Sequence, residues 1–342
     1  MNKYQLLIDL INSFGVSGKE MYVRDLIKKE IKPYVDKIYI DKLGNLIAHK
    51  KGKQKTKVMI AAHMDEIGLI VKNIEPDGKV RIAAIGGIDS LTLLNEKVGI
   101  KTRKGIVKGI ITNDNISCSI LEENPSHKMD DMFIDTGLTK KQMLNLGVHI
   151  GSFIGFSPNA EIIANGKVIT GKALDDRIGC YILIELIKKL KNSQTELFFV
   201  FTVQEEVGLY GAKTSSYEIS PDWAIALDVT DCDDRSKQGS KELGKGPTLT
   251  IKDAEMISNP CIDEWLLDIA KKKKMNIQPD VSDGGTTDAL NISISKGGVP
   301  TAVVGVPVRN LHTTSGMAHL DDINNAIKLL ESLLKKPPQL CL

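Results

Sequence analysis

Five short segments that carry acidic residues or histidine are spread along the 342-residue chain, and each lies against an apolar run. They read IAAHMDEIG (60–68), ALDDR (173–177), TVQEEVG (202–208), ALDVT (226–230) and RNLHT (309–313). Imidazoles and carboxylates in the ratio found here favour two divalent cations that share a bridging carboxylate. Because such a centre makes a hydroxide nucleophile near neutral pH, the pattern predicts a hydrolase.

Helix and strand patterns alternate in the first sixty residues and again after residue 166. The near-continuous apolar run at 57–63 predicts a strand that is buried on both faces. Ser17-Gly-Lys-Glu20 has the pattern of a capping box that opens a helix ending near Ile31. Further strands and helices are predicted at 196–203, 223–229, 260–273, 299–306 and 321–334. The alternation predicts an α/β fold, with a mixed sheet covered by helices on both faces.

Residues 69–165 have a different sequence pattern. Short alternating stretches lie between Gly, Asp and Asn turns, with a single helical pattern at 139–147. This is typical of a small β-rich, barrel-like unit. Because the unit begins after one acid-bearing segment and ends before the next, we expect an insertion into a discontinuous catalytic domain made of residues 1–68 and 166–342.

Composition excludes several classes of partner. Lysine plus arginine number 45 against 43 aspartates plus glutamates, and no segment concentrates positive charge as a nucleic-acid-binding surface would. No apolar run approaches the length that spans a bilayer. The five cysteines are odd in number and form no C-x-x-C pair, which argues against a disulfide framework and for a reducing compartment. We therefore expect a cytoplasmic protein with no nucleic-acid or membrane partner.

His63 and Asp65 stand two apart where the strand at 57–63 ends. Residues i and i+2 of a strand share a face, so the Asp65 carboxylate can hold the His63 ring by its second N–H. A polar pair at a strand end without a metal is the alternative. Asp175 and Asp176 open a helix, where aspartate can act as a cap or, in Asp175, bridge two metals with Asp176 or Arg177 in support.

Glu205 and Glu206 follow a buried strand, where adjacent like charges are costly unless a cation compensates them or one is protonated. One of the two can bind metal while the other faces substrate as a base. Asp228 interrupts the apolar run WAIALDV and needs a metal or a buried cation as partner. His312 follows a strand and is the preferred second histidine, because its competitor His319 lies where the last helix begins.

Taken in order, these segments resemble the glutamyl-aminopeptidase and deblocking-aminopeptidase family of binuclear metallopeptidases. The likeness covers nearly the whole chain, and the combination is highly specific although each piece is not. It runs through Ser17-Gly-Lys-Glu20, AAHMDEIG, the β-rich unit, GKALDDR, TVQEEVGLYGA, ALDVT and the GGTTDA segment at 284–289.

The resemblance implies a zinc-exopeptidase-like fold and an aminopeptidase that removes N-terminal residues from peptides. It implies two divalent metal ions per subunit, zinc or cobalt. It also implies that subunits pair through the inserted domain at 69–165 and that these dimers build a dodecamer. One ion would be held by His63, Asp175 and Asp228, and the other by His312, Asp175 and Glu206. Glu205 would be the general base and acid, with Asp65 orienting His63.

Two departures from the family pattern concern loops expected to line the substrate pocket. The chain runs HTTSGMAHLDD after His312, where the family commonly continues Ser-Pro and then reaches a glutamate. It also carries an extra threonine at Thr286-Thr287. Substrate preference therefore does not transfer from the family.

Three other functions compete with the aminopeptidase. A binuclear amidohydrolase acting on small N-acyl amino acids would use the same ions with a different pocket. A glucanase, a label that some relatives carry, would need two flanking carboxylates and no metal. A scaffold with a structural metal is disfavoured, because a closed site needs no unligated carboxylate such as Glu205 beside it.

Overall fold

A computed structural model of the chain describes residues 3–114, 128–236 and 240–337. The helices are α1 (Gln5–Asn12), α2 (Met21–Ile31), α3 (Lys140–Asn145), α4 (Leu174–Lys189), α5 (Tyr210–Ile219), α6 (Pro260–Lys273), α7 (Asp288–Ser293) and α8 (Leu320–Lys335). The strands are β1 (Lys37–Ile40), β2 (Leu46–Lys50), β3 (Lys57–His63), β4 (Gly68–Ile74), β5 (Val80–Ile85), β6 (Lys97–Thr102), β7 (Gly105–Asn113), β8 (Met132–Asp135), β9 (Phe153–Phe156), β10 (Glu161–Ile163), β11 (Val168–Gly171), β12 (Glu196–Thr202), β13 (Trp223–Asp231), β14 (Thr248–Lys252), β15 (Gln278–Val281), β16 (Thr301–Arg309) and β17 (Gly316–His319).

A large mixed sheet forms the centre of the molecule. Its strand order is β1-β2-β12-β3-β13-β16-β17-β11-β10, and β14 pairs with β16 and β15 outside this path. Strands β12, β3, β13 and β16 are parallel to one another, whereas the flanking pairs β2–β12 and β16–β17 are antiparallel. The carboxyl ends of the four parallel strands therefore meet at one edge of the sheet, which is where open α/β folds bind ligands.

Alternate residues of β3 belong to two different cores, which explains its continuous apolar sequence. Val58 and Ile60 pack with side chains of α4 and α8 on one face of the sheet. Met59 and Ala61 pack on the other face, together with Ile292 of α7 and side chains of α5. Because residues of a strand alternate between faces, a strand covered on both sides must be apolar throughout.

A closed barrel of six strands, in the order β4-β5-β8-β7-β6-β9, stands beside the sheet. Its interior is a separate cluster of buried aliphatic side chains, among them Leu69, Val98 and Ile134. The barrel strands extend from Gly68 to Phe156, and Glu161–Ile163 already pairs within the large sheet. The mixed sheet with helices on both faces and the added barrel confirm the predicted fold class.

The predicted capping box at the start of α2 is wrong. The helix does begin at Met21 and end at Ile31, but no side chain caps its first turn. The Ser17 hydroxyl instead donates to Asp65 Oδ2 at 2.6 Å, and Glu20 Oε1 accepts from the backbone N–H of Gly18 at 2.6 Å. A local pattern could not foresee a carboxylate brought in from 48 residues away.

Three of the five cysteines, for which the sequence predicts no disulfide framework, lie within the described residues. Cys180 and Cys232 are free and buried, whereas Cys261 is disulfide-bonded. Cys118 and Cys341 lie outside the described residues. Within the described ranges, no helix combines the length and the apolar character that a membrane crossing requires.

Candidate metal centre

The carboxyl edge of the parallel strands gathers the residues that the sequence analysis selected. His63 is the last residue of β3, and the Glu205-Glu206 pair follows β12. Asp228 lies in β13, and His312 follows β16. Because these strands are neighbours in the sheet, residues far apart in sequence come together at one edge. Asp175 reaches the same place from the start of α4, which packs on β3 and β13.

Two groups of donor atoms share Asp175. Asp175 Oδ1 lies 2.8 Å from His63 Nε2, and Asp228 Oδ1 lies 3.8 Å from the same nitrogen. On the other side, Asp175 Oδ2 lies 3.2 Å from His312 Nε2, which is 3.8 Å from Glu206 Oε2. Within each group the donor atoms all lie within 4.8 Å of one another. Asp175 thus presents one oxygen to each histidine.

Glu205 stands beside this cluster without belonging to either group of donors found among the described residues. Its Oε2 lies 4.0 Å from His63 Nε2, and only 10% of its side chain is exposed. A carboxylate that adjoins the donor groups but is not needed by them is free to exchange a proton with a bound molecule.

Asp65 is fully buried beneath the cluster and makes contacts in two directions. Its carboxylate accepts the backbone N–H groups of Glu205 at 3.0 Å and Glu206 at 3.2 Å, besides the Ser17 hydroxyl. Its Oδ1 lies 3.6 Å from His63 Nδ1, and its carbonyl oxygen lies 3.2 Å from the same nitrogen. One side chain therefore fixes both the histidine at the end of β3 and the glutamate pair after β12.

The two adjacent aspartates of α4 have separate partners. Asp176 Oδ1 accepts the backbone N–H of Gly179 at 2.8 Å, so Asp176 provides the cap of the helix. Both aspartates have non-helical dihedral angles, the peptide bond between them is cis, and Ala173 before them has a left-handed φ of 49°. Of the two roles that the sequence left open for this pair, Asp176 takes the cap, whereas Asp175 faces the two histidines.

Burial and crowding perturb the acids and the histidines of the cluster. Burial, followed by the charge of Asp175, raises the pKa of Glu206 to about 8. Burial also raises the pKa of Asp228 well above its ordinary value. At Asp175 burial acts in the same direction, but the hydrogen bonds to His312 and His63 outweigh it and its pKa is lowered. The hydrogen bond to Asp175 raises the pKa of His312 to about 9.

The raised pKa values of the acids come first from burial and then from mutual repulsion, so the pocket favours a compensating positive charge beside its carboxylates. Protons can compensate the charge, and so can divalent ions bound by imidazole nitrogens and carboxylate oxygens. That donor set suits zinc or cobalt, and it contains none of the thiolates that closed structural zinc sites use most. The residues present therefore fit a pair of catalytic metal ions.

Asp288 is an acidic residue of this region that the sequence analysis did not select. It is buried at the start of α7, and its Oδ2 accepts the Thr202 hydroxyl at 2.5 Å. Burial raises its pKa to about 6, and its charge acts on Glu205 and Asp228. The other selected acids lie against apolar runs, whereas Asp288 follows the GGTT segment. Its position in the sequence therefore gave little sign that it is buried near the metal centre.

His319, the competitor of His312, is the N-cap residue of α8. Its Nδ1 accepts the backbone N–H of Asp321 at 3.2 Å, and it belongs to neither donor group in the described part of the chain. His312 has 43% of its side chain exposed, so it lies at the open side of the cluster.

Comparison with known proteins gives matches over almost the full length. A sequence model of the family described as M42 glutamyl aminopeptidase matches residues 44–329. The lysyl aminopeptidase of Pyrococcus furiosus is 36% identical over 343 residues, which cover 98% of this chain and 98% of the relative.

Solved structures agree with the sequence matches. The TET aminopeptidase from a marine sediment archaeon of the Thaumarchaeota has a TM-score of 0.94 and 35% identity, covering 97% of this chain and 96% of that one. The TET1 peptidase of Pyrococcus horikoshii, which can assemble into a tetrahedron or a large octahedral shell, has a TM-score of 0.88 and 34% identity, covering 97% of this chain and 99% of that one.

Proposed function

The chain belongs to the M42 glutamyl aminopeptidase family and is a metal-dependent aminopeptidase, and from this premise we propose that Asp175 bridges two divalent ions in its active site. His63 and Asp228 would complete the first ion's ligands, and His312 and Glu206 those of the second. The single observation that carries this proposal is the pair of contacts at 2.8 and 3.2 Å from the two oxygens of Asp175 to the two histidines.

Bound zinc or cobalt would polarise the substrate carbonyl and bring the pKa of a coordinated water to about 7. Glu205 accepts the proton of the attacking water and delivers it to the leaving amine, as a general base and then a general acid. Its burial beside the donor groups supports this role, since burial raises the pKa of the Glu205 carboxyl well above its usual range and so favours its taking up a proton.

Asp65 orients the first histidine and the glutamate pair together. Its two contacts with His63 Nδ1 leave Nε2 free to face the ion. By accepting the backbone N–H groups of Glu205 and Glu206, it holds the proposed base and the proposed metal ligand in place. We expect Asp65 to act on catalysis through these neighbours rather than by contact with substrate.

Peptides are the proposed substrates. The N-terminal side chain that this enzyme prefers does not follow from its family. The family's description names glutamyl residues, whereas the Pyrococcus furiosus relative is named for lysyl residues. Proteins of similar sequence are therefore named for N-terminal residues of opposite charge. The segment from His312 to His319 and the Thr286-Thr287 pair are the proposed determinants, since they adjoin His312 and Asp288.

We propose that the barrel unit within residues 69–165 pairs two subunits, and that such dimers build a dodecamer. The TET1 peptidase forms closed shells from a chain of this fold. Large aliphatic side chains are exposed on the barrel unit, where a partner could cover them. They are Ile106, Ile110, Leu144, Leu146 and Ile150.

The test of the function is hydrolysis of aminoacyl-p-nitroanilides with Lys, Glu, Leu and Ala side chains, beside their N-acetylated forms. Protein treated with a chelator is assayed before and after addition of Zn²⁺ or Co²⁺. Cleavage of free-amine substrates that metal restores is the expected result, with the ranking of side chains revealing the preference. Loss of the acetyl group from the acetylated compounds, detected as new free amine without release of p-nitroaniline, would instead identify the acyl-amino-acid hydrolase, and chelator-insensitive activity on glucans would identify the glucanase.

A further inference from the structure

A cluster of three charged side chains lies buried beneath the metal centre. Its members are Glu66, Lys172 and Arg177, with 1%, 2% and 0% of their surface exposed. The mechanism does not use any of them. Burying one anion and two cations is costly unless the charges are close together and their polar atoms are hydrogen-bonded.

Lys172 and Glu66 form the centre of this buried cluster. Lys172 Nζ donates to both carboxylate oxygens of Glu66, at 2.9 and 2.7 Å, and to the carbonyl of Ser13 at 3.2 Å. Glu66 Oε1 also accepts the backbone N–H of Gly15 at 3.0 Å. The pair therefore connects three parts of the chain: residues 13–15, the loop after β3, and the segment between β11 and α4.

Arg177, which lies in α4, connects that helix to the end of α1, to residues 13–15 and to the loop after β3 through its whole guanidinium. Nε donates to the carbonyl of Met64 at 2.8 Å and Nη1 to that of Leu10 at 2.6 Å. Nη2 lies 3.4 Å from both the carbonyl of Gly15 and Glu66 Oε1. A planar fork that reaches separate acceptors in several directions fixes its neighbours more narrowly than an ammonium can.

The residues of this network adjoin the residues of the proposed metal site in sequence. Met64 follows His63, Glu66 follows Asp65, and Arg177 comes two residues after Asp175. The buried cluster therefore ties the segment that presents His63 to the segment that presents Asp175. These two side chains make the 2.8 Å contact at the heart of the first donor group.

We propose that Glu66, Lys172 and Arg177 are positioning residues that hold His63 and Asp175 at the separation required for metal binding. The proposal rests on the metal centre described under the proposed function.

The test separates positioning from support of the fold. Glu66→Gln and Arg177→Lys keep the side-chain size or the charge but lose the geometry, and Zn²⁺ affinity is measured by competition with a chromogenic chelator. Loss of an outer-shell partner typically weakens metal binding by about 10 to 100-fold, and we expect losses of that size. Circular dichroism and the unfolding midpoint in chelator report the fold in the same samples.

Lys50→Met is the matched control. Lys50 is also a buried lysine, and its ammonium donates to the carbonyls of Ile187 and Leu190 at the far end of α4 from Asp175. A general cost of removing a buried lysine would lower the unfolding midpoint of this variant. Its Zn²⁺ affinity should stay within about 2-fold of wild type if positioning is local to the Glu66 cluster.

A double variant keeps the test decisive if single changes unfold the protein. Glu66→Gln with Lys172→Met removes both charges of the pair, and such replacements often preserve stability. A folded double variant with weakened Zn²⁺ binding supports the proposal, whereas wild-type affinity in folded variants overturns it. Failure of the proposed function looks different, because wild-type protein itself would then bind no pair of ions.

Discussion

Asp175 and Asp176 illustrate at the scale of single residues how neighbours of identical chemistry acquire different tasks. Asp176 accepts the backbone N–H of Gly179 with one oxygen, whereas Asp175 turns both oxygens towards histidines. The non-helical dihedral angles of both residues make this division possible. A sequence alone shows the pair but not the backbone that separates its members.

Glu205 provides the first residue-scale prediction. Glu205→Gln should retain both metal ions, because this side chain belongs to neither donor group, yet lose at least ~100-fold in turnover through loss of the proton acceptor. The measurement is kcat on an aminoacyl-p-nitroanilide with metal content determined on the same sample. Glu264→Gln, at an exposed position of α6, is the control. Near-normal turnover of a metal-replete Glu205→Gln enzyme would remove the residue from this role.

The shifted groups of the metal centre predict how metal-free protein responds to pH. Glu206, with a pKa raised from 4.5 to about 8, holds a proton in the folded state that the unfolded chain has lost. Its contribution therefore destabilises the folded state progressively as the pH rises from about 4.5 to 8. His312, raised from 6.5 to about 9, adds stability that is complete below 6.5 and disappears as the pH rises through 9.

Both effects have the same sign, so the thermal unfolding midpoint of chelator-treated protein should fall as the pH rises from about 5.5 to 9. Thermal melts in chelator measure this slope. Glu206→Gln should make it shallower, and saturating Zn²⁺ should remove most of it because the ion replaces the protons. Equal slopes for wild type and Glu206→Gln in chelator would show that Glu206 is not a titrating group in this range.

At the scale of elements, the start of α8 distinguishes the two histidines that compete for the role of ligand, because only His319 caps that helix. His312→Ala should abolish binding of one ion, whereas His319→Ala should leave both ions bound. The His319 change should instead cost about 1 kcal/mol of unfolding free energy, the typical loss when an N-cap is removed. Metal content and urea unfolding of the two variants are the measurements. Loss of an ion in His319→Ala would reverse the assignment.

Sequence patterns predicted the elements whose reasons are local. The strand β3 was foreseen to the residue because burial on both faces leaves a continuous apolar run, and α6 was foreseen at 260–273 because its apolar positions repeat at helical spacing. The sequence points to the proposed metal ligands because they lie against such runs, and the structure brings them together. Where a reason was local, the sequence was sufficient.

Long-range contacts are what the sequence could not supply. Ser17 fitted a capping box, but its hydroxyl bonds to Asp65 across the structure. Glu66 and Lys172 had no pattern of their own, since their partnership depends on two segments 106 residues apart. Asp288 likewise follows a turn rather than a strand. These residues became visible only when the sheet had brought their segments together.

On the scale of the whole molecule, the barrel unit is the element proposed to direct assembly. Ile106→Asp with Ile150→Asp places charge on its exposed apolar side chains and should reduce the wild-type oligomer to smaller species without unfolding the chain. Ile106 is 54% and Ile150 is 66% exposed, so neither change enters a core. Gel filtration with light scattering measures the mass against the 37.5 kDa of one chain.

Ile257→Asp is the control for the assembly prediction, because Ile257 is 73% exposed but lies outside the barrel unit. Its mass should equal that of wild type. A wild-type protein that is monomeric at micromolar concentration, or a barrel variant with unchanged mass, would contradict the assignment of the barrel to subunit pairing.

The most direct test of the account is a metal titration of chelated enzyme, with hydrolysis of the preferred aminoacyl-p-nitroanilide and bound metal measured on the same samples. We predict that activity returns with added Zn²⁺ or Co²⁺ and saturates at two ions per chain, and that Asp175→Asn binds neither ion tightly. Full activity in chelated enzyme, or saturation at one ion per chain with Asp175→Asn unaffected, would contradict an active site built on a shared Asp175.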